Sequence, residues 1–180
     1  NGVLKRENVS EYLKNLGQGE RKILRDLGVK FGRYHIFLHK LIKPEPVTLR
    51  TLLWKNYHQK YFKINPPTFG LNFIEDKDNR NIYFMLLCGF EKFDNYFIRI
   101  DILERLFMQI INSGSEENKE IKLVPEMLNL LGCSKDNFKK LIQKMNYKVT
   151  EKDEDFFFKY TPQKKLKKSF DKKTNKENPF

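Results

Sequence analysis

The sequence predicts an α+β chain, mainly helical, in three parts: a small helix/strand N-terminal unit over residues 1–75, a winged helix-turn-helix-like unit over 80–162, and a disordered Lys-rich tail over 163–180. Three observations carry that reading. Apolar residues recur at three- and four-residue steps in several windows, the period of a helix with one buried face. Short runs rich in β-branched and aromatic residues, bounded by Gly, Pro, Asn or Asp, alternate with those windows. The last stretch carries charge without enough apolar surface to fold by itself. At 180 residues, 39% hydrophobic and 14% aromatic, the chain is long enough to bury a sizeable core.

The elements follow in order. Residues 3–27 read as two short helices. Val9, Leu13 and Leu16 line the first and Ile23, Leu24 and Leu27 the second, with Gly17 and Gly19 interrupting between them. Gly28 follows as a helix C-cap would. Val29 to Leu38 reads as a strand, with Gly32 at a bulge or turn. Pro44 and Pro46 make the helical state unlikely just before them and acceptable just after, so a helix follows over Val47 to Tyr57, with Leu49, Leu52, Leu53 and Trp54 as its apolar side. The loop Pro66 to Gly70 and the polar turn Asp76 to Arg80 bracket a boundary between units. Asn81 to Phe90 reads as a strand and Tyr96 to Ile100 as a second.

The next stretch is more specific. Asp101 is placed as an N-cap, with Glu104 three residues on in a capping-box arrangement. Leu103, Leu106, Phe107, Ile110 and Ile111 form the buried stripe of that helix, which Ser113-Gly114-Ser115 ends. Glu120 to Val124 is a short strand, Pro125 opens a short helix with Met127, Leu128 and Leu131, and Gly132-Cys133 is a tight turn. Ser134 caps a helix over Lys135 to Asn146, with Phe138, Leu141, Ile142 and Met145 inward and Lys139, Lys140, Gln143 and Lys144 outward. Lys148 to Thr150 and Phe156 to Tyr160 form a hairpin around an acidic turn. Helix, strand, helix, turn, helix, hairpin is the order of a winged helix-turn-helix.

No catalytic motif is present. The chain lacks a GxxxxGK[ST] phosphate loop, HExxH and GxSxG. Glu75, Asp76 and Asp78 cluster beside a polar turn and read as solvated. His35 and His39 have a spacing that could serve a metal on a helix, but their segment reads as a strand and a third ligand is missing; His58 is isolated. No metal site is expected. Cys88 and Cys133 form no CxxC and are expected to be reduced. No apolar run approaches the roughly 20 residues of a membrane span, no signal pattern opens the chain, and a cytoplasmic setting without membrane contact is expected. The first residue is Asn, which suggests a piece of a longer product.

Charge points to the partner. The net charge is +12, from 35 basic and 23 acidic residues, and suggests a polyanion. The chain contains no Ala and is rich in Lys, Asn, Ile, Phe and Tyr, so the coding bias of an AT-rich genome is the competing source of the Lys excess. Location decides more than total. Lys122 to Val149 holds six Lys against two acids, a local +4, and Lys164 to Phe180 adds +5. The candidate nucleic-acid-binding residues are therefore Lys122, Lys135, Lys139, Lys140, Lys144 and Lys148, with Lys164, Lys165, Lys167 and Lys168 in the tail. The outer helix face offers no Arg or Asn for base edges, so contact with the phosphate backbone is expected rather than sequence reading. The run Phe156-Phe157-Phe158 with Tyr160 reads as core packing of the hairpin, with a base-stacking platform as the alternative. Trp54 likewise reads as core. Lys30, Arg33, His35, His39, Lys40 and Lys43 make a second basic patch or an ordinary solvated face.

These residues also carry a resemblance. Leu27-Gly28-Val29-Lys30-Phe31-Gly32-Arg33-Tyr34, Ile36-Phe37-Leu38, Leu41-Ile42-Lys43-Pro44 and Leu49-Arg50-Thr51-Leu52-Leu53-Trp54 resemble a block in the C-terminal half of alphaproteobacterial helicase-related proteins, which are similar to the mitochondrial degradosome ATP-dependent RNA helicase of superfamily 2. Arg99-Ile100-Asp101-Ile102-Leu103-Glu104-Arg105-Leu106, Leu130-Leu131-Gly132-Cys133-Ser134, Phe138, Tyr147 and the ending Asn178-Pro179-Phe180 extend it. His39 stands where that family has Pro and Asn146 where it has Gly. The resemblance implies a parent whose ATP-binding, DExH-type and arginine-finger motifs, and hence ATP and Mg, precede Asn1, so that motor domains lie upstream. This region would then be a non-catalytic accessory part that binds RNA or DNA backbone without a cofactor of its own. A protein-interaction module docking on the motor or a nuclease partner, and a free-standing winged-helix DNA-binding regulator, are the alternatives.

Overall fold

The computed structural model describes residues 2–59, 63–113, 120–152 and 155–161. The fold is α+β. Three small antiparallel sheets share one plan: a hairpin whose second strand also pairs with a strand from earlier in the chain. In the first sheet, β2 (Val29–Phe31) and β3 (His35–Leu38) form the hairpin and β1 (Val3–Lys5) joins β3. Helices α1 (Ser10–Asn15) and α2 (Gln18–Asp26) intervene. In the second, β5 (Phe90–Phe93) and β6 (Tyr96–Arg99) are joined by β4 (Phe73–Glu75). Helix α3 (Pro44–Tyr57) precedes this sheet, and α4 (Ile82–Leu87) lies between its first two strands in the chain. Then come α5 (Ile100–Ser113), β7 (Ile121–Lys122), α6 (Pro125–Leu131), α7 (Lys135–Lys144), β8 (Tyr147–Lys152) and β9 (Asp155–Tyr160), with sheet order β7-β9-β8. The expected helix, strand, helix, turn, helix, hairpin order is present over residues 100–160.

Helix α5 joins the packing. Leu103, Leu106, Phe107 and Ile110 are buried in a cluster with Met127 and Leu131 of α6, Phe138, Leu141 and Ile142 of α7, and Phe156 and Phe158 of β9. Ile100, at its start, packs with Val3 and Phe37 of the first sheet. Packing also runs across residues 76–80: Val47 and Trp54 of α3 share a cluster with Ile74, Phe84, Met85 and Phe97.

Several expectations are corrected. The chain opens with a strand, β1, because residues 3–5 pair with β3; only 10–15 and 18–26 are α-helical. Val29 to Leu38 is two strands rather than one, turning at residues 32–34. Residues 82–87 are a helix, not a strand. The Asn81 side chain accepts a hydrogen bond from the Phe84 amide (3.0 Å), and Phe84, Met85 and Cys88 bury one helical face. On α3 the buried residues are Val47 and Thr51, whereas Leu49, Leu52 and Leu53 are 57%, 59% and 61% exposed. Val47, Thr51 and the half-buried Trp54, at four- and three-residue steps, face α4, so the leucines are rotated outward. Ile111 is 45% exposed and leaves the α5 stripe. Asn146 takes φ 66°, the left-handed conformation that a short polar side chain tolerates.

Asp101 is not an N-cap. Helix α5 already starts at Ile100, and the Asp101 carboxylate takes two hydrogen bonds from the Arg99 guanidinium (2.7 and 2.8 Å). Glu104 does not close a capping box either. Its buried carboxylate accepts from the amides of Arg33, Tyr34 (2.9 Å) and His35 (2.8 Å), and lies 3.0 Å from His35 Nδ1. The other ring nitrogen of His35 is 3.5 Å from Glu91, which pairs with Lys5 at 2.6 Å. Gly32 makes the close approach possible: a Cβ there would stand 2.3 Å from the Glu104 carboxyl carbon.

Two predictions follow from this network. Gly32→Ala should destabilise the chain by about 2 kcal/mol, as overpacking does, measured by denaturant unfolding. Burial pushes the His35 pKa down, but the Glu104 and Glu91 carboxylates outweigh it and raise it. A group with a raised folded pKa stabilises fully below its unfolded value of about 6.5. That contribution is lost as pH rises through the folded value. The melting-temperature advantage of wild type over His35→Gln should therefore shrink between pH 6 and pH 9; an advantage that grows with pH refutes it.

Candidate nucleic-acid interface

The candidate interface is built on α6, a three-residue turn and α7. Pro125 opens α6, where its missing N–H costs nothing. Gly132 ends α6 in the left-handed conformation (φ 69°), and its amide donates to the Leu128 carbonyl at 2.7 Å. The Ser134 hydroxyl accepts from the Asn137 amide (3.3 Å) and caps α7. Phe138, Leu141, Ile142 and Met145 are buried, as the period requires, so α7 turns Lys139, Lys140, Gln143 and Lys144 outward.

Those lysines are not equally available. Lys139 pairs with Glu151 at 2.6 Å and its ammonium lies 5.9 Å from the Phe156 ring centre. Lys144 lies 3.5 Å from Asp94, and the Lys135 ammonium 6.0 Å from the Phe156 ring. Lys140 is exposed and has no ion pair among the described residues. The hydrogen bond from Lys139 holds the Glu151 carboxyl below its usual range. Exposed pairs of this kind are weak and screened by salt, so a phosphate can compete for the lysine.

Lys122 and Lys148 lie elsewhere, on the outer face of the β7-β9-β8 sheet. Register pairs Lys122 and Thr150 with Phe157, and Lys148 with Lys159. Phe156 and Phe158 point inward, 2% and 0% exposed, so Phe157 and Lys159 point outward. The expected core packing of the aromatic run therefore holds for Phe156 and Phe158, not for Phe157. Lys152 shares the outer face: its ammonium is 5.6 Å from the Phe157 ring centre and 2.7 Å from Glu120. Lys122 pairs with Asp155. Lys152 and Lys159 are not among the candidates that the sequence offers, and Phe157 is there only within the stacking alternative, although the two-residue alternation of 156–159 carries the signal that places Phe157 and Lys159 on one face. Lys164, Lys165, Lys167 and Lys168 lie outside the described residues, as does the expectation of tail disorder.

The other expected features resolve as follows. Asp76 is not solvated. Its side chain is 2% exposed, with hydrogen bonds from the Arg80 amide (2.9 Å) and Lys92 (2.6 Å). Burial raises its pKa, but those two donors and their charge hold it below the usual range. Glu75 and Asp78 are exposed. His35 and His39 fall in a strand and a following 3-10 turn rather than on one helix. Among the described residues, no group of three His, Cys, Asp or Glu side chains could hold a metal, and no helix is long and apolar enough to cross a membrane. Burial pushes the free thiols of Cys88 and Cys133 up to about 12 and about 11, so both are protonated at neutral pH. A cleft of about 660 Å³ beside α4, lined by Ile64, Pro67, Leu71, Arg80 and Phe84, includes none of these lysines. No protein-family model, curated protein or solved structure matches the chain.

The Ser134 hydroxyl satisfies one of the unpaired amides at the start of α7. Ser134→Ala should cost about 1 kcal/mol of stability, read as a shift in the urea midpoint with unchanged slope; an unshifted midpoint excludes the cap as a contributor.

Proposed function

We propose that this chain is a non-catalytic accessory region of an ATP-dependent helicase that binds the phosphate backbone of RNA or DNA, with residues 100–160 acting as a winged helix-turn-helix. The single observation that carries the reading is the outer face of α7. Four lysines, Lys135, Lys139, Lys140 and Lys144, stand on a helix whose inner face is anchored by Phe138, Leu141 and Ile142. In a winged helix the second helix of the pair meets the nucleic acid and the first braces it. The element order and the sheet order support that assignment. The outer face carries no Arg, and Gln143 stands exposed among the lysines, a balance that supports backbone contact over sequence reading. The helicase parent rests on the sequence resemblance, and its ATP and Mg belong to motor domains upstream of Asn1.

A second reading, a module that docks on the motor or on a nuclease, is favoured by the exposed Leu49, Leu52 and Leu53 on α3. The readings separate by experiment. The 180-residue chain is titrated by fluorescence anisotropy with single-stranded and duplex RNA and DNA across a salt series. Binding should tighten as salt falls, each phosphate neutralised releasing about one counterion. Lys135→Glu/Lys140→Glu should weaken binding to every sequence and reduce the salt slope by about two. No affinity at low salt, or an unchanged slope in that variant, refutes the backbone reading and leaves the docking module.

A further inference from the structure

Three features of the β7-β9-β8 sheet point beyond helix α7. Phe157 presents an aromatic ring to the outer face, while its neighbours Phe156 and Phe158 fill the core. Lys148 and Lys159 stand directly opposite each other on β8 and β9, and neither has an ion pair among the described residues. Like charges in that position repel and weaken a strand pair, and the one carboxylate beside them, Glu120, is shared between Lys152 and Lys159, so the face keeps a positive excess that an external anion can take up. Lys122 and Lys152 border the ring from the opposite side, each held by an acid of the same surface, Asp155 and Glu120. The face thus has an aromatic centre, two cations outside any close ion pair among the described residues about 7 Å along the strand from it, and two cations held by weak exposed pairs.

We propose that this outer sheet face binds single-stranded nucleic acid, stacking one base on Phe157 and holding the neighbouring phosphate between Lys148 and Lys159. The proposal rests on the nucleic-acid reading above and assigns it a second surface and a strand state. Stacking on an aromatic ring is open to any base, but the base must be free of a duplex to lie against a flat sheet. Thr150, opposite Phe157, has its side chain hydrogen-bonded to Glu120, which Lys152 also holds. Lys152 covers part of the ring and must swing aside, breaking its pair with Glu120. Lys122 and Lys152 then supply charge to the incoming strand.

The test uses the 180-residue chain with labelled oligo-U, oligo-dT and a blunt duplex. Phe157→Ala should lose about tenfold in affinity for both single strands, the worth of one stacked base, and keep its duplex affinity. Phe157→Trp should restore single-strand affinity and show fluorescence quenching on binding above the constant Trp54 signal. Lys148→Glu/Lys159→Glu should lower the single-strand salt slope by about two. Circular dichroism checks each fold; should Phe157→Ala unfold, the Trp and Lys variants carry the test. A folded Phe157→Ala with wild-type single-strand affinity, an equal loss on duplex, or a Trp variant without quenching overturns the proposal. If those results come while Lys135→Glu/Lys140→Glu still weakens binding, only the sheet face fails. If the wild-type chain binds nothing at low salt, the sheet face and the backbone reading fail together.

Discussion

The buried carboxylate of Glu104 is the contact on which the rest of the structure turns. Burying a carboxylate is costly unless its oxygens are filled with donors. Three consecutive amides, Arg33, Tyr34 and His35, and the His35 ring fill them here. All four donors come from the turn of the β2–β3 hairpin and the first residue of β3, some 70 residues earlier in the chain. The first sheet is thereby fixed to α5, the helix that also organises α6, α7 and the last sheet. Glu91 and Lys5 extend the same network to the second and first sheets. Gly32 is the geometric condition for all of it, since any side chain there would occupy the space of the carboxylate.

That anchoring shapes how the lysines are presented. Helix α7 and the hairpin close on one core, with Phe138 and Phe158 in edge contact at 5.8 Å. Side chains on the outer face of the helix and on the outer face of the sheet therefore belong to two separate surfaces. A region that reads from the sequence as one local charge of +4 is divided between them. On the helix surface Lys139 is compensated by Glu151 and Lys144 by Asp94. The sheet surface keeps Lys148 and Lys159 outside any close ion pair among the described residues, beside the half-buried ring of Phe157. Charge density along the chain is thus a poor guide to charge density in space.

The parts that were legible share a cause. Residues 100–160 have strong periodicity and explicit punctuation, Pro125, Gly132 and Ser134, and each of these does what its chemistry predicts. The parts that were misread lacked a second local signal. Residues 82–87 are a short apolar run whose composition suits a strand or a helix equally, and only the Asn81 cap and the packing of Phe84 and Met85 decide it. On α3 the leucines are the most hydrophobic residues, yet Val47, Thr51 and Trp54 are the ones that meet α4. Asp101 and Glu104 matched a capping box in spacing, but Arg99 and the distant hairpin claimed their carboxylates first.

The sequence by itself determined the α+β class, the order of elements over residues 100–160, the inner faces of α5 and α7, and the Lys excess near them. These depend on periods of two or three to four residues and on single-residue punctuation, which are local. Tertiary structure alone decided that β1 pairs with β3, that Glu104 serves the β2–β3 turn, that Leu49, Leu52 and Leu53 face outward, and that Lys122 and Lys148 join the face of Phe157 and Lys159. Each of those depends on which residues distant in the chain come into contact, and no local pattern encodes that.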